Sequence, residues 1–346
     1  MNLKKAISGL AITFLLANAG LFFQDQAMGG EETIELKISH HGPVTWPPSA
    51  DVVAPWAKKI ETLSGGKVQF NFFPKEALGK ANEQYDLAVK GTADIVIGMT
   101  EFTPGRFPLT SCMKLPFMGQ SGEQASIVLW YLYQKYLQEE FKETKILWVF
   151  CSGFAQLHTV SKEVRTLEDL KGLRLRVPDP ALGKAVELLG AVPVVSSVAE
   201  GYKLLQEGKV DGVIISWAGA FDFKYLELCK CHTEINIFTL PFFVTMNKAR
   251  YESLPADIQK IIQDNTSGEE MAIQTGRAMD DQDANAKKVA QKRGDFIYSL
   301  PKTELQRWKK ITTVVGDQWV QDMKAKGLPG REVLAYVIDF IQLKNK

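Results

Sequence analysis

Apolar and polar positions follow a strand–helix–strand rhythm over the first part of the chain. Residues 33–38 alternate with the two-residue period of a strand and end in the loop signal 39–43. Four further elements are predicted by the same criteria: a helix at about 50–64, a strand at 67–73, a helix at 80–90 and an apolar strand at 94–98. Strands that alternate with helices form parallel sheets, so this order predicts an α/β fold. The unbroken apolar run 146–149 predicts a further strand that is buried on both faces.

A second strand–helix rhythm runs from about residue 156 to 240. Its predicted strands lie at 156–160, 173–177, 192–195 and 211–215, and its helices at 180–189 and 198–207. The chain then predicts one strand (about 233–247), a helix that starts near Ala256, and little but helix to residue 290. A helix of that length is typical of one that bridges two lobes. A short strand (295–299) and two amphipathic helices (301–326 and 329–343) follow.

The first residues carry the pattern of a secretion signal. Lys4 and Lys5 precede the apolar run 6–16, and residues 17–19 supply the small-x-small pattern that a signal peptidase recognises. We therefore expect residues 1–19 to be a removed signal peptide and the mature protein to be soluble in the periplasm. The alternative is that the apolar stretch extends to Phe23 and forms an uncleaved membrane anchor. Its length of about eighteen residues would just span a membrane.

Composition narrows the class of protein. The 346 residues are 45% hydrophobic and 23% charged, which suits about two globular domains. The net charge of +1 without a basic cluster gives no reason to expect nucleic acid or an anionic membrane as a partner. We expect a monomer. A dimer formed through the C-terminal helices is the alternative.

The strand at 173–177 holds the strongest candidate for a binding residue. Arg174 and Arg176 alternate with Leu173, Leu175 and Val177, so both point to one face, away from the core and toward a cleft or solvent. Arg176 lies at the carboxyl end of the strand, beside a predicted helix start, where α/β sheets bind ligands. Its guanidinium offers two parallel N–H donors that match a carboxylate. The alternative is an arginine paired with a surface acid. Arg174 is expected to be solvated.

The stretch 171–177, with Lys171, Gly172, Arg176 and Val177 at their spacing, resembles a strand of the solute-binding subunits of TRAP transporters, the DctP family of tripartite ATP-independent periplasmic uptake systems. In that family the arginine clamps a substrate carboxylate. Similar family phrases occur at 53–59, 65–68, 78–79, 103–108, 115–117 and 242–248, so the resemblance spans roughly residues 33 to 265. It implies a two-lobe periplasmic-binding-protein-like fold with a long lobe-spanning helix.

The resemblance also implies how the chain divides and what it does. Lobe one would be residues 30–153 with 241–280, lobe two 154–240 with 281–346, and the ligand cleft would lie between them. The protein would bind an organic acid and deliver it to TRAP permease subunits, with energy from a sodium gradient. Alternatives are a receptor for a membrane sensor, a C4-dicarboxylate-binding protein, an enzyme on the same scaffold, and a binding protein of another transporter class.

Lobe two supplies four expected ligand contacts, which are Arg176, Gln156, Ser216 and Trp217. Many family members carry a second arginine on the preceding strand, but here that position falls on the uncharged Gln156, which disfavours a dicarboxylate. His158 on the same face either approaches the ligand or caps the strand. Ser216 and Trp217 end the strand at 211–215, and the indole suits stacking on a ring or an alkyl chain. The alternative for Trp217 is a core tryptophan.

Lobe one supplies the opposite wall. His41 and Met99 follow the first and third strands, Trp46 lies on the loop after His41, and Phe243 lies in the strand that resembles a crossing segment. The full set of expected ligand contacts is Arg176, Gln156, Trp217, Phe243, Met99, His41, Trp46 and Ser216. One arginine among aromatic and sulfur-bearing neighbours predicts an acid with an aromatic or apolar body, hence a monocarboxylate.

Motifs for enzymes, cofactors and metals are weak in this sequence. It has four histidines and neither a His-Glu-x-x-His nor a Gly-x-Ser-x-Gly phrase, nor a glycine-rich phosphate loop, so we expect no enzymatic activity and no cofactor. Cys229, Cys231 and His232 are close together, but a zinc site normally draws on a second cluster. Cys112 and Cys151 are isolated. The formation of one disulfide remains an alternative.

Overall fold

The computed structural model describes residues 33–344, so the predicted signal peptide at 1–19 lies outside the described residues. The strands are β1 (Ile34–His40), β2 (Val68–Phe73), β3 (Ile95–Met99), β4 (Thr144–Cys151), β5 (Gln156–Thr159), β6 (Arg174–Val177), β7 (Val192–Val195), β8 (Gly212–Ile215), β9 (Cys231–Glu234), β10 (Pro241–Asn247) and β11 (Phe296–Ser299). The helices are α1 (Ala54–Leu63), α2 (Gln84–Lys90), α3 (Gly122–Leu132), α4 (Pro180–Leu188), α5 (Val198–Gln206), α6 (Trp217–Asp222), α7 (Tyr225–Leu228), α8 (Lys248–Ser253), α9 (Ala256–Asp264), α10 (Gly268–Arg293), α11 (Lys302–Ala325) and α12 (Gly330–Lys344).

The first sheet has the strand order β2-β1-β3-β10-β4. β1 runs parallel to β2 and β3, whereas β10 runs antiparallel to β3 and β4. Alternate residues of each strand pack into two different cores: Ile95 and Ile97 belong to the core on one face, and Val96 to the core on the other. β3 is buried along almost its whole length, as expected of a strand that is covered on both faces.

The second sheet has the strand order β11-β9-β5-β8-β6-β7. β6 runs parallel to β7 and β8, and β5 runs antiparallel to β8 and β9. Leu175 and Val177 pack into one core, so Arg176 between them points to the opposite face, where Val213 of the neighbouring strand lies. The mixed two-sheet architecture is the α/β fold that the sequence predicts.

The predicted single strand at 233–247 is two strands in two different sheets. β9 belongs to the second sheet and β10 to the first, and residues 235–240 carry the chain from one sheet to the other. The apolar pattern continues through this crossing because it is buried: Ile235, Ile237 and Phe238 are each less than 5% exposed. Hydrophobic periodicity alone therefore could not reveal the break.

The crossing at 235–240 is hydrogen-bonded to an earlier crossing at 152–155. The Ser152 N–H donates to the Leu240 carbonyl (2.9 Å), and the Leu240 N–H donates to Ser152 Oγ (3.0 Å). The Thr239 hydroxyl donates to the Ser152 carbonyl (2.6 Å), and the Ala155 N–H donates to the Phe238 carbonyl (2.8 Å). Two chain segments that join the sheets are thus tied to each other along their length.

Helix α10 packs against elements of both sheets. It contacts α3 and β4 on the side of the first sheet and α6 on the side of the second. It approaches α3 closely, and a Cβ on Gly276 would lie 2.5 Å from the Gly122 carbonyl oxygen and 2.5 Å from Ser126 Oγ. The absence of a side chain at Gly276 is what lets the two helices meet. The long bridging helix that the sequence predicts is present over residues 268–293.

The C-terminal helices lie on the first sheet's side as well as the second's. α11 contacts α4, while α12 contacts α3 through the ring pair Tyr131–Phe340 and the turn after α3 through Tyr136–Tyr336. These contacts involve both sheets, so the assignment of residues 281–346 to lobe two remains a prediction. Within residues 33–344, no helix combines the length and apolar character needed to cross a membrane.

We expect Gly276→Ala to lower the free energy of unfolding by about 1–3 kcal/mol, because the new methyl group overpacks the α3–α10 contact. Gly316, inside α11, is the matched control: a Cβ there would lie 3.5 Å from Leu334, an ordinary contact. Gly316→Ala should raise the free energy of unfolding by about 0.5–1 kcal/mol, since alanine is the better helix former. Urea denaturation of both variants measures the difference. Equal effects would contradict the close contact.

Candidate functional site

Arg176 is a buried cation whose protein partners are neutral. The side chain is 2% exposed, and its Nε and Nη2 atoms donate to the Ser196 carbonyl at 3.0 and 2.7 Å. Among residues 33–344, no carboxylate lies within salt-bridge distance of the guanidinium. Burial lowers the pKa of Arg176 from its ordinary value, whereas the nearby Tyr225 and Asp179 raise it. An arginine side chain keeps its charge under these conditions.

Two helices cover the face of β6 on which Arg176 lies. A Cβ on Gly201 of α5 would lie 2.7 Å from Arg176 Cγ and 2.6 Å from the Tyr225 hydroxyl oxygen. That hydroxyl donates to the Val198 carbonyl at 2.6 Å. The expected open face of β6 is thus covered by α5 and α7, and Gly201 provides the space for the arginine stem. Ser196 Oγ, close by, is buried without a hydrogen-bond partner in the described part of the chain.

Arg174 is partly exposed, as expected, and it is also paired with a carboxylate of the protein. Its Nε and Nη2 atoms donate to the two carboxylate oxygens of Asp211 at 3.1 and 2.6 Å, and Nη2 also donates to the Gly208 carbonyl at 2.8 Å. This bidentate pair lowers the pKa of Asp211, chiefly through the hydrogen bonds from Arg174. The two arginines of β6 therefore differ in kind: Arg174 has its carboxylate within the protein, and Arg176 does not.

Lys114, which lies between β3 and α3 in the chain, approaches the start of α4 near Arg176. Its ammonium contacts the Glu101 carboxylate and lies 3.7 Å from Asp179 Oδ2, an ion contact that is too long for a hydrogen bond. Asp179 Oδ1 caps α4 by accepting from the Leu182 N–H at 3.0 Å. Lys114 thus offsets the negative charge of Asp179, which would otherwise repel an anion beside Arg176.

Trp217 begins α6 at the carboxyl end of β8, the strand next to β6. It is 3% exposed and packs edge-on against His158, with ring centroids 4.9 Å apart. Its indole Nε1 has no acceptor among residues 33–344. Trp217 and Tyr225 belong to the same apolar cluster, and Tyr225 also contacts the Arg176 region, so the cation and the indole share one side of the second sheet.

His158 is a buried structural residue behind Trp217. Its Nδ1 lies 2.8 Å from His232 Nδ1 and its Nε2 lies 3.2 Å from the Ile215 carbonyl, while His232 Nε2 faces Asp295 at 3.2 Å. Burial, reinforced by the neighbouring His232, lowers the pKa of His158 well below its ordinary value. His158 therefore supports the indole from behind.

The residues expected to form the opposite wall lie at the carboxyl ends of β1 and β3. His41 packs against Trp46 (5.0 Å between ring centroids), Phe102 (5.2 Å) and Phe242 (6.4 Å). Met99 ends β3 beside the same core. Burial lowers the pKa of His41 to about 4, and its Nδ1 has no partner in the described chain. At neutral pH this wall is aromatic and uncharged.

Phe242, and not the expected Phe243, lies on this wall. Successive residues of a strand point to opposite faces, so a shift of one position exchanges the two environments. Phe243 points away from His41 into a core with Tyr85, Phe107 and Phe141, and it is 1% exposed. The geometry makes Phe243 a core residue.

Gln156 and Ser216 use their polar atoms within the protein. Gln156 Oε1 accepts from the N–H groups of Ile235 (2.7 Å) and Asn236 (3.0 Å), and Nε2 donates to Phe154 O (3.0 Å) and Asn236 Oδ1 (2.5 Å). Ser216 Oγ caps α6 by accepting from the Gly219 N–H at 3.1 Å. Gln156 thus hydrogen-bonds to the chain crossing, and Ser216 caps the helix. Neither makes the ligand contact expected of it in this arrangement.

The cysteines and cavities single out no second site. Cys112, Cys151, Cys229 and Cys231 are free thiols, all buried, and no cluster of metal-ligating side chains occurs in residues 33–344. A groove of about 420 Å³ runs between residues 47–52 and α10, but none of the expected ligand contacts lines it. The groove therefore does not coincide with the expected contacts, and the buried charge of Arg176 is the feature that marks the candidate site.

The histidine next to this wall makes the fold sensitive to acid. Burial lowers the pKa of His40 from 6.5 to about 4, so protons bind the unfolded chain first as pH falls. We expect His40 to cost about 2 kcal/mol of stability between pH 7 and pH 5. Urea denaturation at both pH values should show a smaller pH-dependent loss in His40→Gln than in the unchanged protein. An equal loss would contradict the buried neutral state.

Comparison with known proteins agrees with this architecture. Residues 38–322 match the model of the bacterial extracellular solute-binding protein family 7. A TRAP solute-binding protein from Rhodoferax ferrireducens T118, solved with copurified benzoate, is 32% identical, with a TM-score of 0.81 over 90% of this chain and 98% of that one.

Two further solved structures are similar over most of their length. A TRAP solute-binding protein from a marine metagenome, solved with 3-hydroxybenzoate, is 32% identical, with a TM-score of 0.83 over 91% of this chain and 100% of that one. One from Bordetella bronchiseptica, solved with (R)- and (S)-mandelate, is 28% identical, with a TM-score of 0.77 over 90% and 99%. The chain therefore belongs to the bacterial extracellular solute-binding protein family 7, the solute-binding proteins of TRAP transporters.

Proposed function

We propose that this solute-binding protein captures an aromatic monocarboxylate between its two sheets and presents it to TRAP permease subunits. The observation that carries the proposal is Arg176, a cation 2% exposed that donates only to a backbone carbonyl among the described residues. A buried charge without a counter-charge is unfavourable, and a ligand carboxylate supplies that counter-charge with matching geometry. Relatives at 28–32% identity were solved with benzoate, 3-hydroxybenzoate and mandelate.

The charges around Arg176 favour one carboxylate over two. Gln156 occupies the position of a second arginine and makes four hydrogen bonds within the protein. Lys114, the nearby cation, is already paired with Glu101 and Asp179. A second ligand carboxylate would therefore lose its hydration without gaining a cation.

The remaining contacts suit an apolar ring. Trp217 on the second sheet and Trp46, Met99 and Phe242 on the first offer flat or polarisable surfaces, and His41 beside them is uncharged at neutral pH. The ligand would touch both walls at once, which is how a ligand favours the closed arrangement of two lobes. The lobes in this proposal are residues 30–153 with 241–280 and residues 154–240 with 281–346.

The proposal includes the surroundings of the protein. Residues 1–19 would be cleaved on export. The mature chain would act in the periplasm as a monomer and would bind no nucleic acid. It would carry out no covalent chemistry, and a sodium gradient across the permease would drive uptake. The closed form, with the acid between the sheets, would be the one that the permease recognises.

Arg176→Ala should weaken benzoate binding by roughly 2–5 kcal/mol, because it removes one partner of a desolvated charge pair. Arg176→Lys should also lose much of the affinity, since an ammonium does not reproduce the planar fork. Arg174→Ala is the matched control, because that arginine of the same strand is already paired with Asp211. Calorimetric titration of the mature protein measures all three. Benzoate affinity unchanged in both Arg176 variants would contradict the proposal.

A thermal-shift screen tests the ligand class, since a ligand that binds only the folded form raises the melting temperature. Benzoate, 3-hydroxybenzoate and mandelate should raise it, whereas succinate and glucuronate should not. The rise should be absent in Arg176→Ala and present in Arg174→Ala. A rise with succinate alone would overturn the one-carboxylate argument. A rise with glucuronate alone, which has one carboxylate on a polar ring, would overturn the argument for an apolar ring.

A further inference from the structure

Two aspartates of α10, three residues apart, each cap a different helix. Asp280 accepts from the N–H groups of Gly122 (2.6 Å) and Glu123 (2.9 Å) at the start of α3. Asp283 accepts from the N–H of Ala218 (2.7 Å) at the start of α6. Since α3 packs with the first sheet and α6 follows a strand of the second, α10 holds the N-terminus of one helix from each side.

The carboxylate of Asp283 also contacts the chain crossing. A Cβ on Gly153 would lie 2.0 Å from Asp283 Oδ2, so only glycine fits at that place in the crossing 152–155. The Ser216 hydroxyl, which caps α6, is near the same carboxylate and lowers its pKa. Asp283 therefore contacts the crossing and the backbone next to Trp217 at once.

We propose that Asp283 is a positioning residue for ligand binding: its ionised carboxylate fixes the first turn of α6 and thereby holds Trp217 in place at the ligand. The inference rests on the proposed function for the ligand itself. The Ala218 N–H that Asp283 binds belongs to the residue immediately after Trp217. A charged acceptor at a helix N-terminus forms a shorter and stronger hydrogen bond than a neutral one, and it also complements the helix dipole.

The charges that face Asp283 are anionic. Asp280 on α10 and Asp222 on α6 raise its pKa, the Ala218 N–H and the Ser216 hydroxyl lower it, and Gly153 of the crossing carries no charge. Burial is the largest cause and, with the others, raises the pKa of Asp283 to about 7. The histidines do not interfere, because the pKa values of His40 and His41 are lowered to about 4 and those of His158 and His232 are also lowered.

The contributions of Asp283 to stability and to binding should respond to pH in opposite directions. The pKa of Asp283 is raised on folding, so the stabilisation from its protonated form is complete below the unfolded value of 3.8 and is lost as pH rises through about 7. Binding should instead tighten as pH rises, because the ionised carboxylate holds α6 and Trp217 more firmly. A residue that merely supports the fold would change stability without this opposite change in binding.

The test compares the mature protein with Asp283→Asn, which keeps the shape and one acceptor but does not ionise, and with Asp281→Asn as control. Asp281 is an exposed carboxylate on the same helix. Benzoate affinity is measured by calorimetry at pH 6 and pH 8, where benzoate and Arg176 stay charged. Trp217 emission is followed over the same range as the difference between each protein and its Trp217→Phe version, which leaves the other six of the seven tryptophans unchanged.

In the unchanged protein and in Asp281→Asn, benzoate should bind about threefold to tenfold more tightly at pH 8 than at pH 6, the difference expected between a charge-assisted and a neutral hydrogen bond. Trp217 emission should shift with a midpoint near pH 7. Both effects should be lost in Asp283→Asn. If Asp283→Asn keeps the pH dependence, or if only its stability differs, the inference is overturned.

The two proposals fail separately. If benzoate binds none of the proteins, the proposed ligand class is at fault, and the Trp217 emission titration still decides the role of Asp283. If Arg176→Ala abolishes benzoate binding but Asp283→Asn shows the same emission titration as the unchanged protein, the proposed function stands and the positioning role of Asp283 does not.

Discussion

The structure depends on how the chain passes between its two sheets. Ser152 and Thr239 connect two crossing segments through backbone and hydroxyl hydrogen bonds, and Gln156 ties the end of one to Asn236 in the other. Buried segments without regular strand pairing must satisfy their backbone groups in this way. Because the two crossings are joined, they should bend as one unit, and α10 beside them adds a third connection. Small residues at Gly153 and Gly276 follow from this crowding.

The candidate site is distinguished by its electrostatics. Arg176 is covered by α5 and α7 and keeps its charge, while two neighbouring cations are paired: Arg174 with Asp211, and Lys114 with Glu101 and Asp179. A buried cation that the protein does not neutralise is costly unless a ligand completes it. The same low-dielectric surroundings that make Arg176 costly also strengthen its attraction for a carboxylate. In the proposed function, the cost of burying Arg176 and its attraction for a ligand carboxylate would therefore have one source.

Periodicity predicted most elements, because strands and helices here bury regular faces, and the resemblance pointed to Arg176 as the candidate ligand contact. What failed was set by tertiary contacts. The break between β9 and β10 is hidden by a buried crossing, and the exchange of Phe242 for Phe243 is a one-residue difference in facing that no pattern of two adjacent phenylalanines reveals. Arg174 finds its carboxylate 37 residues along the chain. The roles of Gln156 and Asp283 depend on neighbours about 65 to 80 residues away.

Selectivity in such a site comes as much from what it leaves unpaired as from what it binds. The wall formed by His41, Trp46 and Phe242 is uncharged at neutral pH, so a second anionic group would face aromatic rings instead of a donor. A hydrocarbon ring at the same place loses only unfavourable hydration. The penalty for burying an unpaired charge exceeds the gain from most single contacts. In the proposed site, a second carboxylate left without a cation would therefore be rejected more strongly than the aromatic surface attracts a ring.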